Sequence, residues 1–143
     1  MIPVFEGEYA FLSNFYESPF DFMGTTYQSV EHFYQAAKAV DPLEADIVVS
    51  SATPGESKKQ GRRIECRDDW DEVKISVMRF ALEMKFMDPV LRQKLLDTGD
   101  HSLFEGNVWG DTFWGVDTRT GQGKNHLGKL LMELREKYRK DHG

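Results

Sequence analysis

The sequence predicts a mainly helical α+β domain, with about six helices over roughly half of the chain and a few short strands. Several segments carry apolar residues at helical spacing behind a capping residue. By contrast, residues 3–27 and 101–116 carry short aromatic, β-prone pieces broken by glycine or proline. A chain of 143 residues buries most of the surface that it exposes when unfolded. We therefore expect one domain over residues 1–143, without repeats or linkers.

The composition favours a packed domain and argues against some partners. Apolar residues make up 40% of the chain and aromatic residues 13%, which is more than disordered chains carry. The formal charge of −6 gives no overall attraction for polyanions, so we do not expect the chain to grip a long nucleic acid. A small anionic ligand, held by a local basic site, remains compatible with this charge.

We expect this chain to be neither exported nor inserted in a membrane, and we expect no dedicated metal site. Cys66 is its single cysteine and cannot form an internal disulfide, so a reducing, cytoplasmic location is the simplest expectation. The first residues contain no basic leader, and no run approaches the ~18 apolar residues of a membrane span. The four histidines lack the spacing of metal-ligand motifs, so we expect no metal site and no cofactor.

The first β-prone pieces predict a small hairpin. Residues 20–22 and 25–27 are rich in aromatic and β-branched side chains. Met23 and Gly24 separate them, which is the length and composition of a two-residue turn.

Just ahead of the hairpin, residues 11–16 are unusually apolar for a loop. Ser13 and Asn14 lie inside this aromatic stretch and allow two interpretations. They either satisfy a turn through their own side-chain hydrogen bonds, or they belong to a substrate-facing loop whose aromatic rings stack on a base.

Residues 27–40 predict a helix of about three turns, around which we expect the rest of the chain to be organised. Ser29 is placed to cap it, good helix formers follow, and Asp41-Pro42 closes the run. One face of this helix is apolar and should face the core. That face contains Val30, Phe33, Tyr34 and Ala37.

A separate stripe of the same helix carries an acid, an amide and an amine. Glu31, Gln35 and Lys38 fall within about 60° of one another around the helix axis. Such a stripe is commonly a solvated ion-pair face, which contributes little to stability. The alternative is a row of functional side chains.

Two shorter helices follow. Residues 42–51 carry a proline near the first turn, and Thr53 with Glu56 has the form of a capping box around Pro54. The second of these helices delivers four cations in six positions, which is either a solvated face or a phosphate site. The four are Lys58, Lys59, Arg62 and Arg63.

The longest helix is expected next, capped by Asp68 or Asp69 and running to about Met87. Trp70 lies in its first turn, where an indole either packs in the core or reaches over a ligand. A further helix covers residues 89–97, and Gly99 follows as its C-terminal signal.

Residues 101–104 and 108–116 are expected to be extended or irregular. In the second run, Trp109, Asp111 and Trp114 alternate with glycines, which suits a backbone that passes close to another group. Asp111 is either a turn former or part of the site.

Residues 117–125 form a polar loop that leads into the last helix. Leucines and a tyrosine recur there at core spacing. The glycine-flanked turn at Lys124 and Asn125 predicts free N–H groups that favour phosphate, although the phosphate-loop motif GxxxxGK[ST] is absent. The core positions are Leu127, Leu130, Leu131, Leu134 and Tyr138.

Five separated motifs, in one order, carry a resemblance to a known family. "FLSNFYESPF", "SVEHFYQAAKA", "GRR" followed by "DDWDEVK", "DTFWG" and "GKNHLGKLLMELRE" resemble the NADAR superfamily of YbiA-like N-glycosidases, from about Phe5 to about Arg135. The resemblance implies cleavage of an N-glycosidic bond. The substrate it implies is either an early riboflavin-pathway ribosylaminopyrimidine phosphate or an ADP-ribosylated guanine base.

Cleavage of a sugar C1′–N bond requires a proton for the departing nitrogen, stabilisation of the sugar carbon, and a nucleophile at C1′. Glu31 is suited to act as acid or base. Lys38 either neutralises a phosphate or shifts the pKa of Glu31, or it forms a Schiff base with C1′. The resemblance is what suggests the Schiff-base route. Asp111 would position water or hold the ribose hydroxyls.

The substrate-binding residues follow from residue type and motif position. Ser13 belongs to the loop expected to face the substrate, while the amides Asn14, Gln35 and Asn125 are suited to orient base or sugar edges. Phe15, Trp70 and Trp114 would sandwich the base, and Arg62, Arg63 and Lys124 would take the phosphate.

Two rival functions come from other classes. A module that binds NAD or ADP-ribose without turning it over would be expected to lack the acid or the amine, yet this chain keeps Glu31 and Lys38. A regulatory or interaction protein would use its aromatic residues only as a core. The expected partner is a small phosphorylated ribosyl or ADP-ribosyl substrate, with a modified nucleic-acid base as the alternative, and the oligomeric state stays open.

Overall fold

A computed structural model describes residues 1–142 and has a mainly helical α+β fold, which confirms the predicted fold class. A 3-10 helix spans Gly7–Leu12, and the α-helices are α1 (Val30–Ala37), α2 (Pro42–Val49), α3 (Pro54–Gly61), α4 (Trp70–Lys85), α5 (Pro89–Asp97) and α6 (His126–His142). The strands are β1 (Phe20–Phe22), β2 (Thr25–Tyr27), β3 (Gly106–Asn107) and β4 (Val116–Asp117). Within residues 1–142, no helix has the length and apolar character needed to cross a bilayer.

The chain divides into two compact units. The central unit is Asn14–Lys85, and the terminal unit combines Met1–Ser13 with the chain from Phe86 onward. The expectation of one domain over residues 1–143 stays a prediction.

The predicted hairpin opens the central unit. β1 and β2 pair antiparallel, and their two-residue turn places Met23 at φ 50° and Gly24 at φ 81°. Two successive left-handed residues are the type I′ geometry that matches the twist of a hairpin. The rings of Phe20, Phe22 and Tyr27 all lie within 6.0 Å of the Phe33 ring, centroid to centroid, so the hairpin packs on α1.

α1 is the core helix of the central unit and contacts α2, α3, α4 and β2. Residues 30–36 are all buried, including the polar ones. The helix begins where expected, because the Ser29 hydroxyl accepts a hydrogen bond from the His32 backbone N–H.

The side chain of His32 extends this cap to the next helix. His32 Nε2 lies 2.9 Å from the Ser51 carbonyl oxygen, which can only accept, so Nε2 carries the proton. In the neutral ring, Nδ1, 2.7 Å from Ser29 Oγ, then accepts from the hydroxyl. The cap thus ties the start of α1 to the chain just after α2.

The remaining helices of the central unit begin close to the predicted residues. Asp41 and Thr53 cap α2 and α3 through backbone N–H groups, each ahead of a proline. Asp69 precedes α4, but its carboxylate binds the Arg67 guanidinium at 2.6 and 3.0 Å. α4 is not the longest helix, because α6 has 17 residues against its 16.

In the terminal unit, α5 packs against α6, and all five core positions predicted for α6 are buried. Arg135 of α6 is buried as well, and it donates to Thr98 Oγ1 at 2.9 Å and to the His101 carbonyl at 2.8 Å. β3 and β4 form a short parallel pair. Gly99 lies at φ 63° just after α5, as the sequence predicted.

Replacing Ser29 tests the cap. Ser29→Ala removes the acceptor for the His32 N–H and leaves His32 Nδ1 without a donor inside the core, so we expect a loss of about 1–2 kcal/mol in the free energy of unfolding by urea. Thr53→Ala is the matched control, since it removes an exposed cap whose bond to the Glu56 N–H is local to α3. An equal or smaller loss for Ser29→Ala would contradict the structural role of the Ser29–His32–Ser51 chain.

Candidate active site

A buried hydrogen-bonded pair forms the centre of the candidate site. Gln35 Nε2 donates to Glu31 Oε1 at 2.7 Å, across one turn of α1. Only 6% of Glu31 and 3% of Gln35 are exposed. The interpretation of this stripe as a solvated face is therefore wrong, because Glu31 and Gln35 are shielded from water. A carboxylate removed from water needs strong local partners, and Gln35 is one of them.

Lys38 ends α1 beside this pair and is half-buried. Burial lowers the pKa of its amine from the usual value, while the negative charge of Glu31 opposes the shift. The amine lies 5.7 Å from the centroid of the Tyr34 ring. Lys38 is thus a lysine whose neutral form is more populated than on an open surface, within the electrostatic reach of the candidate acid.

The backbone of Lys38 is held from the other side by the segment after α3. The Arg67 N–H donates to the Lys38 carbonyl at 2.8 Å, and Ala39 forms an antiparallel bridge with Cys66. The Cys66 thiol is exposed. These contacts fix the end of α1, where an isolated helix would fray.

The predicted cation cluster divides into two parts. Lys58 and Arg62 are close enough to Lys38 for their charges to contribute to lowering its pKa, after the larger effect of burial. Lys59 instead pairs with Glu56 at 4.0 Å on the exposed side of α3. Arg63 is exposed. The central unit therefore places positive charge on the candidate site mainly from Lys58 and Arg62.

The aromatic loop at the start of the central unit is attached directly to α1. The Asn14 carbonyl accepts from the Glu31 backbone N–H at 3.1 Å. The Asn14 amide points to Met78 Sδ at 3.5 Å, and its Oδ1 is a buried atom without a hydrogen-bond partner among the described residues. Phe15 is 46% exposed, with Lys58 Nζ 6.0 Å from its ring centroid. Of these two residues, Phe15 has the surface suited to stacking on a base.

Trp70 has little exposed surface. Only 9% of it is accessible, and its ring lies 5.0 Å from that of Tyr34, centroid to centroid. This placement favours the packing interpretation of Trp70, and its predicted contact with a base stays a prediction.

The other predicted residues belong to the terminal unit, as does Ser13. Asp111 Oδ1 accepts from the backbone N–H groups of Phe113 and Trp114 at 3.2 and 3.0 Å. Asn107 holds the same turn, because its amide bonds both the N–H and the carbonyl of Asp111. Asp111 is thus a turn former that shapes the chain around Trp114, and its catalytic role stays a prediction.

Asn125 has both side-chain polar atoms occupied. Oδ1 accepts from the Glu105 N–H at 3.0 Å, and Nδ2 donates to the Leu103 carbonyl at 2.9 Å. The residue is 4% exposed and lies at φ 53°, a left-handed conformation in which asparagine is favoured. These bonds give Asn125 a structural role, and its predicted contact with substrate stays a prediction.

The prediction of free N–H groups at the start of α6 is wrong. The N–H groups of Asn125, His126 and Leu127 donate to carbonyls of residues 113–115 at 3.0–3.2 Å. Backbone carbonyls therefore occupy the positions that a phosphate would need. Lys124 is exposed, with its amine 5.9 Å from the Phe113 ring centroid, and stays a predicted phosphate ligand.

Sequence reasoning missed a buried lysine at the end of α4. Lys85 is 2% exposed, and burial lowers its pKa to about 7. Its amine lies 5.7 Å from the ring centroid of Tyr16 in the aromatic loop. The signal was present, because Lys85 follows the core residues Met78 and Leu82 at helical spacing and so shares their buried face.

Comparison with known proteins gives consistent matches along the whole chain. The family model for the NADAR domain matches residues 4–139. An N-glycosidase of Nostoc punctiforme is 41% identical over 137 residues, which cover 92% of this chain and 86% of that protein. A riboflavin biosynthesis protein of Vibrio vulnificus is 37% identical over 131 residues, 90% of this chain but 35% of that longer protein.

One relative is known by both sequence and structure. The N-glycosidase YbiA of Escherichia coli is 39% identical over 132 residues, which cover 90% of this chain and 81% of YbiA. The solved NMR structure of YbiA superposes with a TM-score of 0.86, over 99% of this chain and 89% of that one, at 34% identity.

Lys85 makes stability depend on pH in a direction that can be measured. Its folded pKa of about 7 lies below the ordinary 10.5, so the unfolded chain binds more protons between these values and stability rises with pH across them. We expect urea unfolding between pH 7 and 10 to show a rise in wild-type stability, relative to Lys85→Met, of up to ~1.4 kcal/mol per pH unit.

The matched control is Lys129→Met, which removes an exposed lysine of α6. It should follow the wild-type dependence on pH. If Lys85→Met also follows it, Lys85 is not buried in the form that the structure describes.

Proposed function

This chain is a member of the NADAR domain family and an N-glycosidase, and we propose that it hydrolyses the C1′–N bond of a phosphorylated ribosyl-base compound. An early riboflavin-pathway ribosylaminopyrimidine phosphate is the substrate that we favour. The riboflavin biosynthesis protein among its relatives supports this choice.

The observation that carries the proposal is the buried Glu31 carboxylate, hydrogen-bonded to Gln35 and within the electrostatic reach of a half-buried amine at Lys38. A carboxyl group in a site that excludes water can hold or release a proton at the reacting atoms without competition from solvent.

Glu31 acts first as the acid, in the protonated form that the last step of the cycle regenerates. It gives a proton to the nitrogen at C1′ while the C1′–N bond breaks, so the base departs as a neutral amine. Water then adds to the electron-poor C1′, and the proton that it loses returns to the Glu31 carboxylate. One water is consumed, and the products are ribose phosphate and the free base.

Lys38 has two roles in this scheme. As an ammonium, it stabilises the charge of a substrate phosphate or of the Glu31 carboxylate. As a neutral amine, it attacks C1′ of the ring-opened sugar, where the base is held as an imine, and the base leaves as a free amine while the lysine takes its place. Water then hydrolyses the lysine imine, which releases ribose phosphate and regenerates the Lys38 amine. The reduced pKa of Lys38 supports the second role, and the negative charge of Glu31 supports the first.

Phosphate recognition is assigned to the cations around Lys38. Lys58 and Arg62 lie within its electrostatic reach, and Arg63 follows directly. An arginine can hold two phosphate oxygens at once, so Arg62 and Arg63 are the preferred ligands. The roles predicted for Asp111, Trp114 and Lys124 concern the terminal unit and stay predictions.

The experiment is a product assay by mass spectrometry on purified protein. A ribosylaminopyrimidine 5′-phosphate and an ADP-ribosylated guanosine are offered separately. Ribose phosphate from the first substrate is the expected result, and free ADP-ribose from the second would identify a guanine de-ADP-ribosylase instead. If folded protein cleaves neither, the hydrolase proposal fails for both substrates and a binding module becomes the better description.

Borohydride in a parallel sample tests the covalent route. Reduction would trap the sugar on a lysine, and peptide mapping would assign it to Lys38 or to another residue. Cleavage without an adduct would favour direct attack by water.

Glu31→Gln tests the assigned acid. The amide is the same size but cannot give up or take a proton, so we expect kcat to fall ~10²–10⁴-fold while circular dichroism shows a folded protein. Glu72→Gln, at an exposed glutamate of α4, is the matched control and should retain wild-type kcat. Wild-type kcat in folded Glu31→Gln would remove Glu31 from the mechanism.

Arg62→Ala tests the phosphate assignment. We expect KM for the phosphorylated substrate to rise ~10-fold or more, with a smaller change for the same substrate without its phosphate. Lys59→Ala removes a cation from the same segment that pairs with Glu56, and it should leave both KM values nearly unchanged. Equal effects of the two variants would indicate a general electrostatic contribution.

A further inference from the structure

We infer that Gln35 is a positioning residue that holds the Glu31 carboxylate, and that Gly61 is a glycine in order to leave room for Gln35. This inference rests on the proposed function, in which Glu31 is the acid. It replaces the earlier expectation that Gln35 touches the base or the sugar.

The Gln35 amide is oriented toward Glu31. Its N–H donates to Oε1 at 2.7 Å, and both residues are buried in the same turn region of α1. The carboxylate can only accept when ionised, so the amide must present nitrogen there and its own oxygen must point elsewhere. A short bond from a neutral amide to a carboxylate is a strong constraint on the glutamate rotamer.

The orientation has a cost in stability. Gln35 Oε1 is buried and has no hydrogen-bond partner among the described residues. A buried carbonyl oxygen without a donor is unfavourable, and a leucine or methionine at this position would avoid the penalty. A structure that accepts this cost at the neighbour of its acid indicates that the N–H is needed there.

A second cost lies on the facing helix. Gly61 is the buried last residue of α3, and a Cβ at this position would overlap Gln35 Oε1 and lie 2.9 Å from Gln35 Cδ. Its φ lies outside the left-handed region, so the backbone conformation itself does not call for glycine. Glycine at a helical position is less stable than alanine. Side-chain room for Gln35 is the reason that remains.

The unpaired Gln35 Oε1 and the glycine at position 61 both concern the placement of the Gln35 side chain. α1 supplies the N–H that orients the carboxylate, and α3 supplies the space in which the amide lies. A glutamate freed from this bond would sample other rotamers, and misplacement of a catalytic group by about 1 Å can cost ~10²-fold in rate. Gln35 therefore acts through Glu31, without touching the substrate.

Gln35→Met is the direct test, because methionine keeps the length and removes the donor. A positioning role predicts that kcat falls 10–100-fold while KM changes less than about 2-fold. A substrate contact predicts the opposite division, with a rise in KM. The loss in kcat should also nearly vanish in a Glu31→Gln background, since Gln35 then has no catalytic carboxylate to position.

Gly61→Ala tests the space for Gln35. It should lower kcat about 10-fold or more in the wild type and less than about 2-fold in a Gln35→Ala background, where the atoms it would overlap are absent. Gly55→Ala is the matched control in the same helix, because its nearest neighbour is Thr53 Oγ1 at 3.8 Å, and it should keep wild-type kcat. If Gly61→Ala fails to fold, recovery of folding in the double variant supports the claim that Gly61 leaves room for Gln35, and the kcat of Gln35→Met then tests the positioning role.

The outcomes separate this inference from the proposed function. Failure of folded wild-type protein to cleave either substrate would overturn the proposed function. Wild-type kcat in Glu31→Gln would leave the hydrolase activity standing but remove Glu31 from the mechanism, and the positioning role of Gln35 with it. Loss of kcat in Glu31→Gln with wild-type kcat in Gln35→Met would overturn only the positioning role. A rise in KM at constant kcat for Gln35→Met would return Gln35 to the substrate-binding residues.

Discussion

A carboxylate can stay inside a protein only where hydrogen bonds and nearby positive charge compensate for the water it has lost. In this chain that requirement falls on Glu31, one residue into α1. The amide of Gln35 meets part of it, and the end of the helix adds the amine of Lys38. The rest of the central unit surrounds α1 and so shields Glu31 from water. Helices α2, α3 and α4 pack around α1, and the aromatic rings of the hairpin pack on Phe33 of α1.

The same constraint explains how the cations are distributed. The chain as a whole is acidic, with a formal charge of −6, yet Lys58 and Arg62 lie within reach of Lys38. Local positive charge in an acidic protein selects a small anion over a long one, because an extended polyanion would also meet the negative surface. Lys59, one residue from Lys58, is turned away and pairs with Glu56. Neighbouring cations of this segment thus have different electrostatic partners, Lys38 for Lys58 and Glu56 for Lys59.

Most of the fold could be predicted because its signals are local. Ser29, Asp41 and Thr53 each begin the helix that their side chains cap, and Met23-Gly24 makes the hairpin turn. The four-residue spacing of Glu31 and Gln35 also predicted correctly that they share one face of α1. Their burial could not be predicted, since it depends on α3 and α4 arriving from distant sequence. The prediction of free N–H groups at the start of α6 was wrong for the same reason. The carbonyls that accept from these N–H groups belong to residues 113–115, and the sequence around the helix start does not reveal this contact.

The bridge between Ala39 and Cys66 has a practical consequence. The Cys66 thiol is exposed, and Cys66 is the chain's single cysteine. Its backbone pairs with that of Ala39, which directly follows Lys38 at the end of α1. A fluorophore or spin label attached there would be placed at one defined position without any engineered mutation. Its signal would report occupancy near the Lys38 amine, so binding could be followed optically under conditions in which no turnover takes place.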